Sequence, residues 1–151
     1  MHFEGNETIQ VPLQTVWDFF MDTQRVAACA PGFQRLEILA PDHFKPTVSV
    51  GIGPVKATFT LDVVLEDMRP PSHATMRGHG VAAGSAVDLV SQLDLSALSD
   101  SSTSLKWTMD ATVTGTIASV GARLMESTAQ KLTGRFFECI SRQLGAAAAP
   151  H

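Results

Sequence analysis

The stretch Val50–Phe59, VGIGPVKATF, decides how the rest of the chain is read. Gly51-Ile52-Gly53-Pro54 has the look of a phosphate-cradling loop. Such a loop runs from a strand into a helix, so that free N–H groups of the first helical turn point at the anion. Here no Gly-Lys-Ser/Thr follows. Val55, Ala57, Phe59, Leu61, Val63 and Leu65 instead alternate with Lys56, Thr58, Thr60, Asp62 and Glu66, and only Val64 breaks the pattern. That is the period of a strand. Upstream, Phe44, Val48, Val50 and Ile52 alternate with Lys45, Thr47, Ser49 and Gly51. The stretch therefore reads as a hairpin turn. Glycine admits positive φ, and proline fixes φ where the next strand begins.

Period two extends in both directions. Phe33 to Leu39, Ala74 to Val81, Ala86 to Leu98 and Leu105 to Val113 read as further strands. Pro41-Asp42, Arg69–His73, Ala83-Gly84 and Ser99–Thr103 supply turn residues between them. At the start, His2–Ile9 alternates as a strand. Leu13, Val16, Trp17 and Phe20 then mark a helical face, with Pro12 near its first turn. Asp22 or Thr23 can cap a second short helix that Pro31-Gly32 stops. At the far end Ile117, Val120, Leu124, Thr128, Leu132, Phe136, Ile140 and Leu144 predict one long helix from about Ala118 to Leu144. Strands joined by short turns pair antiparallel, and their apolar face must be covered. Only the long helix is large enough. The expected fold is α+β: a curved antiparallel sheet of about seven strands wrapped round a long C-terminal helix, with two short helices after the first strand. Residues 1–145 form one domain, and 146–151 a flexible tail.

Composition narrows the function. The 151 residues carry a net charge of −4, and only 17% are charged. The eleven Lys and Arg are scattered, which argues against a nucleic-acid surface. No run has the length and apolarity of a membrane span, and the polar N-terminus does not resemble a signal peptide. A cytoplasmic protein is expected. Cys29 and Cys139 are far apart in sequence. A bond between them is open in principle, but a reducing compartment and a buried, free Cys29 are the expectation.

Catalytic signatures are sparse. His2, His43, His73, His79 and His151 fall in different elements, none with a partner at metal-ligand spacing, so no metal is expected. The serine cluster Ser99–Ser104 is turn chemistry, and no Gly-x-Ser-x-Gly elbow occurs. Glu4, Glu7, Asp62, Glu66, Asp88, Asp94 and Asp110 fall mainly on polar strand faces; Asp88 or Asp94 could point inward, because their strand alternates imperfectly. What remains is apolar surface between helix and sheet, where ligand cavities form. Trp17, Phe20, Phe59, Met76 and Leu93 are candidate lining residues, with Trp107, Met109, Leu124, Met125 and Phe136. Each fits a solid core equally well. An entrance is expected between the short-helix segment (Cys29, Pro31, Gly32, Phe33), the turn (Gly51, Gly53, Pro54) and the N-terminal half of the long helix. No residue is assigned a catalytic role.

Three pieces in this order resemble one family: Cys29-Ala30-Pro31-Gly32, the Val-Gly-Ile-Gly-Pro run ending at Pro54, and Gly115 followed by Ile117-Ala118 and Gly121-Ala122-Arg123-Leu124. Together with their surroundings over roughly residues 1–144 they resemble the carbon monoxide dehydrogenase G-subunit family, of the START-like (SRPBCC), helix-grip superfamily of lipophilic-ligand binders. The resemblance implies the same fold and an accessory, non-catalytic role. The partner would be a molybdenum-containing CO dehydrogenase-type hydroxylase, recruited to the membrane or relieved of its electrons. A quinone or lipid would occupy the cavity non-covalently. Some members carry a C-terminal extension proposed to attach them to the membrane. This chain runs only a short alanine tail past Gly145 and shows no lipidation signal, so peripheral contact through rim loops, at the inner face of the cell membrane, is the expectation. The alternative is an enzyme of the polyketide cyclase/dehydratase type on the same fold, with Asp88, Asp94, Arg77 and His79 as its acid–base candidates.

Overall fold

The computed structural model describes residues 1–82 and 84–148. Strand β1 (His2–Ile9) leads into helices α1 (Leu13–Met21) and α2 (Thr23–Ala28). Six strands follow: β2 (Phe33–Ala40), β3 (His43–Ile52), β4 (Val55–Arg69), β5 (His73–Ala82), β6 (Ser85–Ser99) and β7 (Ser102–Gly115). A 3₁₀ turn, Thr116–Val120, precedes helix α3 (Ala122–Ala148). Each strand from β2 to β7 pairs antiparallel with its neighbour in the chain, and β1 pairs antiparallel with β7. The sheet order is β1-β7-β6-β5-β4-β3-β2.

The opening stretch is the β3–β4 hairpin. Ile52 pairs with Val55, and Gly53 turns the chain at φ +58, a value that L side chains rarely adopt. Asp22 caps α2, its carboxylate accepting from the Arg25 N–H at 3.4 Å. Pro12 is the N-cap of α1, one residue before the helix, and its carbonyl accepts the Val16 N–H.

One helical reading is extended and another corrected. In α1, Phe19 is more buried than Phe20, although Phe19 lies off the apolar face seen in the sequence. The helix is hemmed in by α2, α3, β6 and β7, so more than one side is covered. The Arg25 guanidinium lies 4.8 Å above the Phe19 ring. The long helix starts at Ala122 rather than near Ala118. Gly121, at φ +97, separates it from the 3₁₀ turn, so Ile117 belongs to the turn. There Ile117 is buried, its N–H bonded to the Ser85 hydroxyl at 3.0 Å. The helix continues through Ala148, and residues 149–151 of the expected tail lie outside the described residues, as does Ala83 of the Ala83-Gly84 turn.

The core gathers at one end of the molecule. Ile9, Val11, Val16, Trp17, Phe19, Leu95 and Leu105 pack with Ile140 and Leu144 of α3. Each such side chain contributes about 1.5–3 kcal/mol by leaving water. Cys29 lies in this cluster and is bonded to Cys139, with Cα atoms 5.5 Å apart. The expectation of a free Cys29 is thus corrected. The end of α2 packs beside the C-terminal half of α3, a proximity hidden by a separation of 110 residues.

This cross-link closes a long loop, so it restricts the unfolded chain and stabilises the fold by about 2–5 kcal/mol. Urea unfolding of the oxidised protein, repeated with a thiol reductant and with Cys139→Ser, is expected to show a midpoint lowered to match. Identical midpoints would show that the bond contributes nothing.

Candidate functional site: an apolar cavity beneath the long helix

Along α3, no side chain between Ala122 and Cys139 is fully buried, whereas Ile140 and Leu144 are. Beneath the N-terminal half of the helix lies a cavity of about 230 Å³. Its sheet wall is Phe3 of β1, Val48, Val50 and Ile52 of β3, Phe59 and Leu61 of β4, Val87 and Leu89 of β6, and Met109, Ala111 and Val113 of β7. Met125, Thr128, Ala129 and Leu132 of α3 form the roof, and Ile117 one end. Strand β5 faces this side with Gly78 and Gly80. A Cβ at Gly80 would overlap Leu61, and one at Gly78 would sit 3.1 Å from Leu89. The glycines let neighbouring leucines lean across β5. Thr128 is the only polar residue among those lining the cavity. Among the described residues its lining offers no charged side chain to a bound molecule.

The β3–β4 turn closes one side. A Cβ on Gly53 would stand 2.7 Å from Leu124 Cδ2, so the hairpin tip lies directly on the first turn of α3. Gly53 thus meets Leu124, with Gly51 and Pro54 next to it in the hairpin and Ile52 and Met125 on the wall. On the other side of β3, the Gly32 carbonyl accepts the Ser49 N–H at 2.9 Å and Phe33 pairs with Val48, which puts the segment after Pro31 against that strand. Cys29 is set apart from this rim by its bond to Cys139 within the core cluster.

The expected lining residues divide. Phe59, Met109 and Met125 are on the cavity wall. Trp17, Phe20, Leu93, Trp107 and Phe136 belong to the packed cluster at the other end of α3. There Trp107 stacks near Phe137, with ring centroids 5.7 Å apart, and Phe137 meets Phe136 at 5.4 Å. Trp107 fits because Gly5 opposite it has no side chain; a Cβ there would lie 2.7 Å from the indole nitrogen. Met76 sits on β5 between Leu65 and Ser91 and belongs to neither group. The inner space is therefore solid where Trp107, Phe136 and Phe137 meet and hollow where a mostly aliphatic wall, with Phe3 and Phe59 in it, lines it. The wall residues Val48, Val50, Ile52 and Val113 carry the strand alternation already visible in the sequence.

The polar chemistry is on the opposite face of the sheet. Arg77, His79 and Asp88 line a broad outer groove of about 910 Å³ with His2, His43, Asp62, Glu66 and Asp110. Asp94 is also on that face, 2.7 Å from His73 Nδ1. All four acid–base candidates of the enzymatic reading thus point away from the cavity. Sequence reasoning missed how these groups pair. His2 meets Asp110 at 2.7 Å, His43 meets Asp62 at 2.5 Å, and His79 meets Asp88 at 2.6 Å. Arg77 pairs with Glu66 at 2.9 Å. The signal lies in the register: His2 is directly opposite Asp110, His79 opposite Asp88, and His73 opposite Asp94. No group of three or more His, Cys, Asp or Glu among the described residues is arranged to hold a metal ion. No helix of the described residues is long and apolar enough to cross a membrane.

A family model for the G subunit of carbon monoxide dehydrogenase (CoxG) matches residues 5–145. A search of curated proteins found no match. Among solved structures, a conserved protein from Geobacillus kaustophilus is similar at TM-score 0.91 and 26% identity, covering 97% of both chains. The Zhui aromatase/cyclase from Streptomyces sp. R1128 superposes at TM-score 0.74 with 17% identity, covering 99% of this chain and 96% of its own. A START superfamily protein from Mycobacterium smegmatis superposes at TM-score 0.74 with 12% identity, over 97% and 99%. These last two likenesses show the fold, a START-like helix grip.

The outer pairs give a measurable titration. The Asp110 hydrogen bond, reinforced by the charges of Asp110 and Glu4, raises the His2 pKa above the usual histidine value. The pair therefore favours the folded state below the ordinary histidine pKa, and that contribution fades as pH rises through the raised value. An NMR titration is expected to show His2 shifted upward in the native protein and returned toward the ordinary value in Asp110→Asn. An identical His2 titration in both would refute the pairing.

Proposed function

The chain belongs to the CoxG family, the G subunits of carbon monoxide dehydrogenase, and on that premise we propose that it is a non-catalytic carrier of an apolar ligand. It serves a molybdenum-containing hydroxylase of the CO dehydrogenase type. The observation that carries this reading is the cavity under α3, walled by apolar side chains with Thr128 as the one polar residue among the described residues that line it. A quinone or lipid is the class of ligand that suits it. The cavity falls a little below the usual range for small-molecule sites, roughly 300–1,000 Å³. It takes a hydrocarbon segment or a single ring as it stands. A larger occupant requires the N-terminal half of α3 to lift away from the β3–β4 tip, and the partial exposure of that half supports such a movement.

The ligand's chemistry would be its own. The protein would supply a dry, shaped place for it and a route of exit. Delivery of the quinone to the partner, or collection of its electrons, would proceed at the rim formed by Gly53, Pro54 and Leu124. Membrane contact, if the protein recruits its partner there, would use the same rim loops. The cyclase-type reading is not favoured by the geometry, since Arg77, His79, Asp88 and Asp94 are all on the outer face.

Protein purified from its native host is expected to release a quinone or lipid into organic solvent, detected by mass spectrometry, and the emptied protein to take up menaquinone or ubiquinone analogues. Ala129→Trp fills the cavity from its roof and is expected to abolish uptake. The fold should persist, because overpacking costs about 1–3 kcal/mol. Leu124→Trp and Ala57→Trp are expected to obstruct entry, while Leu98→Trp, at an exposed position, leaves uptake unchanged. Clean extracts and no affinity for the analogues would refute the carrier role. Undiminished uptake by Ala129→Trp would refute the site.

A further inference from the structure

Strand β2 is an edge of the sheet, paired with β3 on one side only. An open edge presents unpaired backbone N–H and C=O groups to any strand that fits. Natural edges are usually guarded by charge, a bulge or a covering element. β1, the other edge, carries Glu4 and Glu7 and no Lys or Arg, so two copies of it would repel. β2 differs. Ile38 and Leu39 are 46% and 49% exposed. Beside them stand Arg35 and Glu37, one basic and one acidic, on the same face of the strand. Among the described residues neither takes part in an ion pair within the chain.

We propose that β2 pairs antiparallel with β2 of a second copy, about a two-fold axis passing between Leu36 and its counterpart. The two register shifts of β2 fall between Phe33 and Arg35 and between Ile38 and Ala40, which leaves Arg35–Ile38 as a regular run. A two-fold pairing centred on Leu36 sets Arg35 of each copy opposite Glu37 of the other. Two opposite-charge pairs form at once. The smallest slide that keeps every side chain on its own face is two residues, since a single-residue slip inverts the faces. Sliding that far one way sets Arg35 opposite Arg35. Sliding the other way sets Glu37 opposite Glu37. Like charges directly opposite are unfavourable in an antiparallel pair. The sequence thus selects one register and penalises its neighbours, which is how a specific homodimer is distinguished from indiscriminate edge aggregation. The interface is isologous and closes on itself, as two-fold assemblies do. It also covers Ile38 and Leu39 without involving the cavity, which is walled from the other side of β3.

Light scattering after size exclusion, over a dilution series of the intact oxidised protein, is expected to give a mass of two chains that falls to one on dilution. Arg35→Glu and Glu37→Arg each place like charges opposite one another and are expected to weaken dimerisation about tenfold or more. The double variant Arg35→Glu/Glu37→Arg restores opposite pairs and is expected to dimerise like the native protein. Leu39→Lys, at an exposed site, serves as a second disrupting variant, and circular dichroism confirms that each variant folds. In hydrogen exchange, the free-edge amides of Arg35–Ile38 are expected to slow as protein concentration rises. A native protein that stays monomeric throughout would overturn the proposal, including one whose β2 edge is protected only by a different protein. So would a dimer indifferent to the single charge reversals.

Discussion

The fold is organised by how α3 covers the sheet. The helix is about 40 Å long at 1.5 Å per residue, and α1 packs against β6 and β7 beside it. That single covering relation divides the molecule. At one end Ile140 and Leu144 are fully buried, Phe136 and Phe137 meet Trp107, and Cys139 is bonded to Cys29. At the other end the helix crosses over a mostly aliphatic wall, and an open cavity remains between them. A void in a core is destabilising in proportion to its volume. It persists here because the helix is fixed elsewhere, by a packed aromatic end and a covalent bond, and does not need to collapse onto the sheet. The solid half of the core makes the hollow half tolerable.

Much of this was legible in the sequence because it rests on periodicity. Strand alternation placed all seven strands and their turns, and the residues after Pro54 settled that Gly51–Pro54 is a hairpin tip. Features that depend on distance through space were not legible. The Cys29–Cys139 bond joins elements 110 residues apart. The His–Asp pairs depend on cross-strand register, which alternation alone does not give. The start of α3 was misjudged because Ile117 and Val120 fit a helical repeat, whereas the positive φ of Gly121 interrupts it. Which apolar residues pack and which line a cavity was the hardest distinction. Val50 and Leu105 are both inward-facing aliphatic residues on strands. Leu105 is fully buried in the packed cluster, whereas Val50 lines the cavity.

The two faces of the sheet solve different problems. The inner face is shielded by a helix and carries almost no polarity around the cavity. The outer face has no covering element among the described residues, and it holds strands in register with polar side chains instead. His2 with Asp110, His79 with Asp88 and His73 with Asp94 are each direct cross-strand partners. Such exposed pairs contribute only modestly one by one. Their value is in fixing alignment, because a slip of one residue would exchange the polar and apolar faces and destroy the cavity wall with them.

The Cys29–Cys139 bond also changes the topology of the covalent graph. It turns residues 29–139 into a closed macrocycle that contains β2 through β7, the 3₁₀ turn and the first two thirds of α3. β1, α1 and α2 are left as an arm attached to the ring at one point. That arm is not peripheral, since it supplies Ile9, Val16, Trp17 and Phe19 to the core and lays β1 on β7. In the oxidised protein a strand exchange between two molecules can involve this arm, or the helix end beyond Cys139, but not any segment inside the ring unless two rings interlink. The strands that wall the cavity are, apart from β1, all inside it. The chamber is therefore built from a covalently circular piece of chain and closed at its edge by a linear one.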